Sequence, residues 1–198
     1  MRQGRESCSK RVVWKFVFMS KEQLHYEKRD QYFAYDSMVD ICLNELYSKL
    51  TELNLREEDY TYIEPSAGDG AFLKKLPIDR RIGVDIEPRY EGIIESDFLE
   101  WQPENGKYIT VGGPPFGYRG DLAVKFINHA SKFSDIVAFI LPQYFEDEKD
   151  IFYCGDKVMD LKLVHSKKID SEFRFPNGQN IIVGLNMYFQ IWTKSYFL

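Results

Sequence analysis

The residues with types and spacing suited to chemistry fall at the ends of short apolar runs. Glu64-Pro65-Ser66-Ala67-Gly68-Asp69-Gly70-Ala71-Phe72 follows the first of these. Gly68 and Gly70 lack a Cβ, so the backbone there can bend tightly and approach a ligand closely. A helix after such a turn would offer unpaired N–H groups to the same ligand. Asp85 closes the next apolar run, within Gly83-Val84-Asp85-Ile86-Glu87. A carboxylate at a strand end, at about that distance from a glycine turn, can accept both hydroxyls of a ribose. The turn lacks the third glycine that dinucleotide sites favour. The pattern therefore points to a nucleoside ligand without a pyrophosphate.

Positioning such groups requires an alternation of strands and helices, and the chain shows one. Val39, Leu43, Leu46 and Leu50 lie at helical spacing, and Asp36 can cap that helix. Strands are expected over Tyr60–Ile63, Arg81–Val84, Gly92–Glu95 and Tyr108–Val111, with a helix near Ala71–Leu76 after the glycine turn. Asp121 can cap a second amphipathic helix carrying Leu122, Phe126, Ile127 and Ala130. Ile136–Leu141 is continuously apolar, as the middle of a parallel sheet requires. Two longer strands follow, Leu161–Ile169 and Ile181–Trp192, joined through a turn at Pro176-Asn177-Gly178. An α/β array closing on an antiparallel hairpin predicts a seven-stranded Rossmann-like methyltransferase sheet, mostly parallel, with that hairpin at its C-terminal end.

The motifs resemble those of the amino-methyltransferases that act on adenine in DNA or RNA, over about residues 30–193. Glu64–Phe72 is similar to the family's first cofactor motif, Asp30-Gln31-Tyr32-Phe33-Ala34 to its N-terminal cofactor motif, and Ser96-Asp97-Phe98-Leu99 to its adenine-contacting motif. Gly113-Pro114-Pro115-Phe116 resembles the catalytic tetrapeptide, and Phe189-Gln190-Ile191-Trp192 the last strand. The resemblance implies S-adenosyl-L-methionine as cofactor, with Gln31 and Tyr32 in its site. Glu64, Ser66 and Gly68 would line its methionine end. Asp85 would hold its ribose and Ile86 would pack on its adenine. Asp97 would accept from that adenine's amine, and Phe98 would give a backbone N–H and an apolar wall.

The resemblance also implies a chemistry. The exocyclic amine of adenine is a poor nucleophile because its lone pair is delocalised into the ring. The family accepts hydrogen bonds from both of its N–H groups: one on a side chain opening the tetrapeptide, one on the carbonyl of the following proline. The closing aromatic stacks on the extruded base. Here the opening position is Gly113, which has no side-chain acceptor, while Pro114, Pro115 and Phe116 keep the pattern. Ala34 also stands where the family usually has a hydroxyl. Three accounts of Gly113 are open. Another residue supplies the acceptor, or the protein has kept the fold as a nucleic-acid-binding or partner-binding subunit without transferring methyl, or Gly113 is an introduced inactivating substitution.

Composition limits the partners. A net charge of −5 and a pI near 5.3 exclude a general polycation, so nucleic acid would be met by local basic groups such as Arg119. The run Glu146–Asp150 would repel phosphate. A chain of 198 residues suits one domain, expected over 29–198, with residues 1–28 as a basic extension. No insertion of a size to choose a target site is evident, so target recognition would fall to loops, the extension or a second protein chain. No run approaches a membrane span. Three widely spaced cysteines, Cys8, Cys42 and Cys154, suggest a reducing, intracellular compartment, cytoplasmic or nuclear, with an organellar presequence left open. No His or Cys spacing suggests a metal.

Overall fold

The computed structural model describes residues 31–145, 158 and 160–197. The basic extension and the acidic run at 146–150 lie outside the described residues, as does the side chain of Arg119. In chain order the strands are Thr61–Pro65 (β1), Arg81–Asp85 (β2), Ile93–Glu95 (β3), Tyr108–Gly112 (β4), Ser134–Pro142 (β5), Lys162–Ile169 (β6), Glu172–Arg174 (β7), Asn180–Ile182 (β8) and Met187–Thr193 (β9). Seven of them form one sheet in the order β3-β2-β1-β4-β5-β9-β6. Neighbours from β3 to β5 pair parallel, and β9 runs antiparallel between β5 and β6. This is the mostly parallel, seven-stranded Rossmann-like arrangement with a C-terminal antiparallel hairpin that the sequence pattern implied.

The sheet is covered on both faces because its central strands are apolar on both. In β5, Ile136, Ala138 and Ile140 enter one core, while Val137, Phe139 and Leu141 enter the other. That is the two-residue alternation of a strand. Helix Asp36–Glu52 (α1) buries Met38, Val39, Cys42, Leu43, Leu46 and Leu50 against the first face. Helix Asp121–Ala130 (α2) buries Ala123, Val124, Phe126, Ile127 and Ala130 against the second. Each set repeats every three to four residues, the spacing of one helical stripe.

Three local expectations are corrected. Asp36 and Asp121 are first-turn residues rather than caps. Tyr35 and Gly120 occupy the cap positions without side-chain hydrogen bonds, and Asp121 accepts from the neighbouring Leu122 N–H at 2.8 Å. The helix expected near residues 71–76 shrinks to a 3-10 turn, Leu73–Lys75. Pro77 forces Leu76 into extended backbone (ψ 154°) and ends the turn there. The span Ile181–Trp192 is broken into β8 and β9 by a bend at Gly184 and Leu185. β7 and β8 then form a separate two-stranded sheet inserted between β6 and β9, with Asn177 and Gly178 at its tip. Among the described residues no helix is long and apolar enough to cross a membrane.

Candidate functional site

Parallel strands leave their C-terminal ends on one side, and the switch in strand order opens a crevice there. Here β1 is flanked by β2 and β4, so the loops after β1, β2 and β4 face one another. They line a single cleft together with the segment before α1. Its wall holds Gln31 and Tyr32 from that segment, Ser66 and Gly68 after β1, Asp85 and Ile86 after β2, Asp97 and Phe98 after β3, and Gly113 and Pro115 after β4.

The glycine loop is fixed from three sides. Gly68 has φ 51° and donates its N–H to Asp85 Oδ2 at 2.7 Å, while its carbonyl accepts from the Arg89 N–H at 2.9 Å. A Cβ at Gly68 would lie 2.7 Å from Cε1 of Phe33, so only glycine fits beneath that ring. Asp85 Oδ1 accepts from the Glu87 N–H at 2.7 Å. Each carboxylate oxygen therefore holds one backbone donor and keeps a second lone pair for a ligand. Ser66 sits at φ 54°, a strained value for a residue with a side chain, and its hydroxyl lies 2.5 Å from the Pro65 carbonyl and 3.2 Å from the Gly113 carbonyl. This serine ties the loop after β1 to the loop after β4.

Three expected site residues are not in the cleft wall. Glu64 is 3% exposed and faces the interior, where it accepts from the N–H groups of Phe72 (3.1 Å) and Leu73 (2.6 Å). Burial pushes its carboxyl up to about 8, further raised by Asp69 and Asp85 and opposed by the two backbone donors. Its place is beneath the loop, organising it. The Pro114 ring is buried, and Phe116 is half-buried against the α1-side core. Ala34, too, belongs to that core and not to the cleft. Phe98 reaches the wall although its ring is almost wholly buried, packed 5.1 Å from both Phe126 and His129. Asp97 Oδ1 accepts from the Leu99 N–H at 2.9 Å, whereas Ile86 is 66% exposed with a free apolar face.

Sequence reasoning named Gln31 but missed Glu87 and Arg89, which join it in the cleft wall. Gln31 Nε2 donates to Glu87 Oε2 at 3.2 Å, and the Arg89 guanidinium meets Glu87 Oε1 at 2.5 Å. The Gln31 Oε1 atom is buried, with no hydrogen-bond partner among the described residues. Outside the cleft lining, Arg174 of β7 pairs with Asp69 at 2.5 Å, and its guanidinium lies 5.5 Å from the Phe33 ring. Phe33 and Arg174 exchange two backbone hydrogen bonds, 2.8 and 3.0 Å, so the segment before α1 extends the small β7–β8 sheet over the loop. The Gln31-Tyr32-Phe33 run was visible as a motif, but nothing in it told which ring would cover Gly68.

No protein-family model matches the sequence, and no curated protein matches it. Solved structures do share its architecture. A protein of Pyrococcus horikoshii assigned as an RNA methyltransferase aligns over 89% of this chain and 98% of its own, with a TM-score of 0.59 at 17% identity. A 23S rRNA methyltransferase, ErmE, aligns over 82% of this chain and 69% of its own, with a TM-score of 0.53 at 14% identity. The magnesium protoporphyrin IX methyltransferase of Synechocystis, solved with bound S-adenosylmethionine, aligns over 81% and 79%, with a TM-score of 0.53 at 12% identity. At these identities the likeness is one of architecture, and the chain has the Rossmann-like methyltransferase fold.

Proposed function

We propose that this protein binds S-adenosyl-L-methionine in the cleft and transfers its methyl group to the exocyclic amine of adenine in DNA or RNA. The observation that carries the reading is the convergence of Gly68, Asp85, Asp97 and Gly113 on one crevice at the strand ends. The residues present fit the cofactor. Asp85 keeps acceptor capacity for two hydroxyls, the orphaned Gln31 Oε1 can accept from another, and exposed Ile86 offers a surface to a purine. The solved neighbours named as RNA methyltransferases, and the one holding S-adenosylmethionine, support the same cofactor and substrate class.

When bound, the cofactor supplies an electrophilic methyl group on its sulfonium. The chain supplies position and hydrogen-bond acceptors. Ser66 Oγ lies 3.2 Å from the Gly113 carbonyl, and by the motif resemblance the next carbonyl, that of Pro114, would accept from one N–H of the target amine. Accepting that proton's hydrogen bond localises electron density on nitrogen as the methyl arrives.

Gly113 favours a second reading, a protein that keeps the fold and cofactor but serves as a binding subunit. Among the described residues nothing stands within 4 Å of where its Cβ would be, so none of them fills the missing acceptor's place. Calorimetric titration with S-adenosylhomocysteine, beside labelled methyl transfer to mixed oligonucleotides, separates the two. Micromolar binding with transfer supports the enzyme. Binding without transfer supports the subunit, and no binding at millimolar ligand removes the cofactor from both.

A further inference from the structure

The aromatic expected to stack on the target base, Phe116, packs on the core, and two residues later the chain presents another ring. Tyr118 is 77% exposed, the most exposed aromatic among the described residues. Its outward position is built by the backbone. Gly117, at φ 68°, turns the chain where any side chain would collide: a Cβ there would lie 2.3 Å from Asp121 Oδ1 and 2.7 Å from Leu122 Cβ. Gly120, at φ 84°, turns it again into α2, so Tyr118 opens a short 3-10 turn held between two glycines. Pro115 before this turn and Leu122 after it both line the cleft, which places the turn at the cleft's mouth. Among the described residues no atom stands within 4 Å of a Cβ placed on Gly113.

We propose that Tyr118, not Phe116, is the platform on which an unpaired nucleobase of a nucleic-acid strand stacks as it enters the cleft. An exposed ring gains from covering a planar base on either strand chemistry, because every base has a π-face. Among the described residues nothing stands within 4 Å of a Cβ placed on Gly113, which leaves room there for a base edge. This assignment rests on the cleft being the place where a base is presented, and its test is read separately from the cofactor.

The test is fluorescence anisotropy of labelled, adenine-containing single-stranded DNA and RNA oligonucleotides on wild type, Tyr118→Ala, Tyr118→Phe and Phe116→Ala, with S-adenosylhomocysteine titrated in parallel. Tyr118→Ala should weaken oligonucleotide binding roughly 5- to 150-fold, Tyr118→Phe should retain it, and neither should shift the thermal midpoint or the S-adenosylhomocysteine affinity. Phe116→Ala should lower the thermal midpoint as a packing change. The proposal is overturned if Tyr118→Ala binds oligonucleotide as wild type does, if Tyr118→Phe loses binding equally, or if wild type does not bind oligonucleotide at all. A protein that binds oligonucleotide through Tyr118 yet ignores S-adenosylhomocysteine would uphold the platform and remove the methyltransferase reading.

Discussion

Replacing Gly113 by asparagine tests the chemistry most directly, because the structure predicts that the change is tolerated. Gly113 is exposed, does not lie in the left-handed region, and has no atom of the described residues within 4 Å of an added Cβ. An asparagine there meets neither clash nor backbone strain, so the thermal midpoint should stay within the range of neutral surface changes. Its side-chain oxygen would add an acceptor beside the Pro114 carbonyl. One preorganised acceptor at a reacting group is worth about 3–4 kcal/mol in the transition state, or roughly 10²–10³ in rate. The assay is transfer of labelled methyl to mixed DNA and RNA oligomers at saturating cofactor, wild type beside Gly113→Asn. A faint wild-type rate raised by that factor supports an adenine site weakened by one missing acceptor. Equal, easily measured rates would refute the reasoning, since another group would already accept the proton. Silence in both, with tight cofactor binding, favours the binding subunit.

Further expectations concern the loop. Asp85→Ala should weaken S-adenosylhomocysteine binding by about 2–3 kcal/mol, because a charged acceptor and two backbone clamps are lost together; an unchanged affinity in a folded variant removes Asp85 from the ribose. Gly68→Ala should cost about 1–2 kcal/mol from its φ of 51° alone, more from displacing Phe33, and a denaturant midpoint equal to wild type would contradict the packing described. Burial raises the Glu64 carboxyl to about 8 from 4.5. The folded protein thus holds a proton that the unfolded chain releases, so stability should fall as pH rises from 4.5 to 8, by about 1.4 kcal/mol per unit within that window. Glu64→Gln should flatten that part of the pH dependence of the thermal midpoint; an identical slope would mean that the carboxyl is ionised in the fold.

Strand ends were legible in the sequence because each is marked by a change of residue type. The apolar run before Glu64 and those closed by Asp85 and by Gly112 became β1, β2 and β4 within a residue or two, and their ends carry the cleft. What escaped reading was direction. Glu64 and Asp85 are both carboxylates at the ends of adjacent parallel strands, yet Asp85 is in the cleft wall and Glu64 is sealed beneath the loop. The alternation of a strand decides that, and a one-residue uncertainty in a boundary is enough to hide it. The inserted β7–β8 sheet was hidden by the apolar Ile181–Val183, which reads continuously into β9 unless Gly184 is taken as a break.

The same loss of direction governs the tetrapeptide. A proline pair fixes the backbone before Phe116 but not the side to which its ring falls; that depends on the turn at Gly117, whose clash distances exist only once α2 is in place. In Gly117-Tyr118-Arg119-Gly120 two glycines bracket two residues, and only the fold shows that Tyr118 is turned outward. Motif likeness marks the segment proposed to do the chemistry, and local backbone geometry would decide which ring in it meets a base. In a chain whose acceptor position is a glycine, the exposed ring two residues beyond the motif is where recognition of a base would persist even if the transfer step were lost.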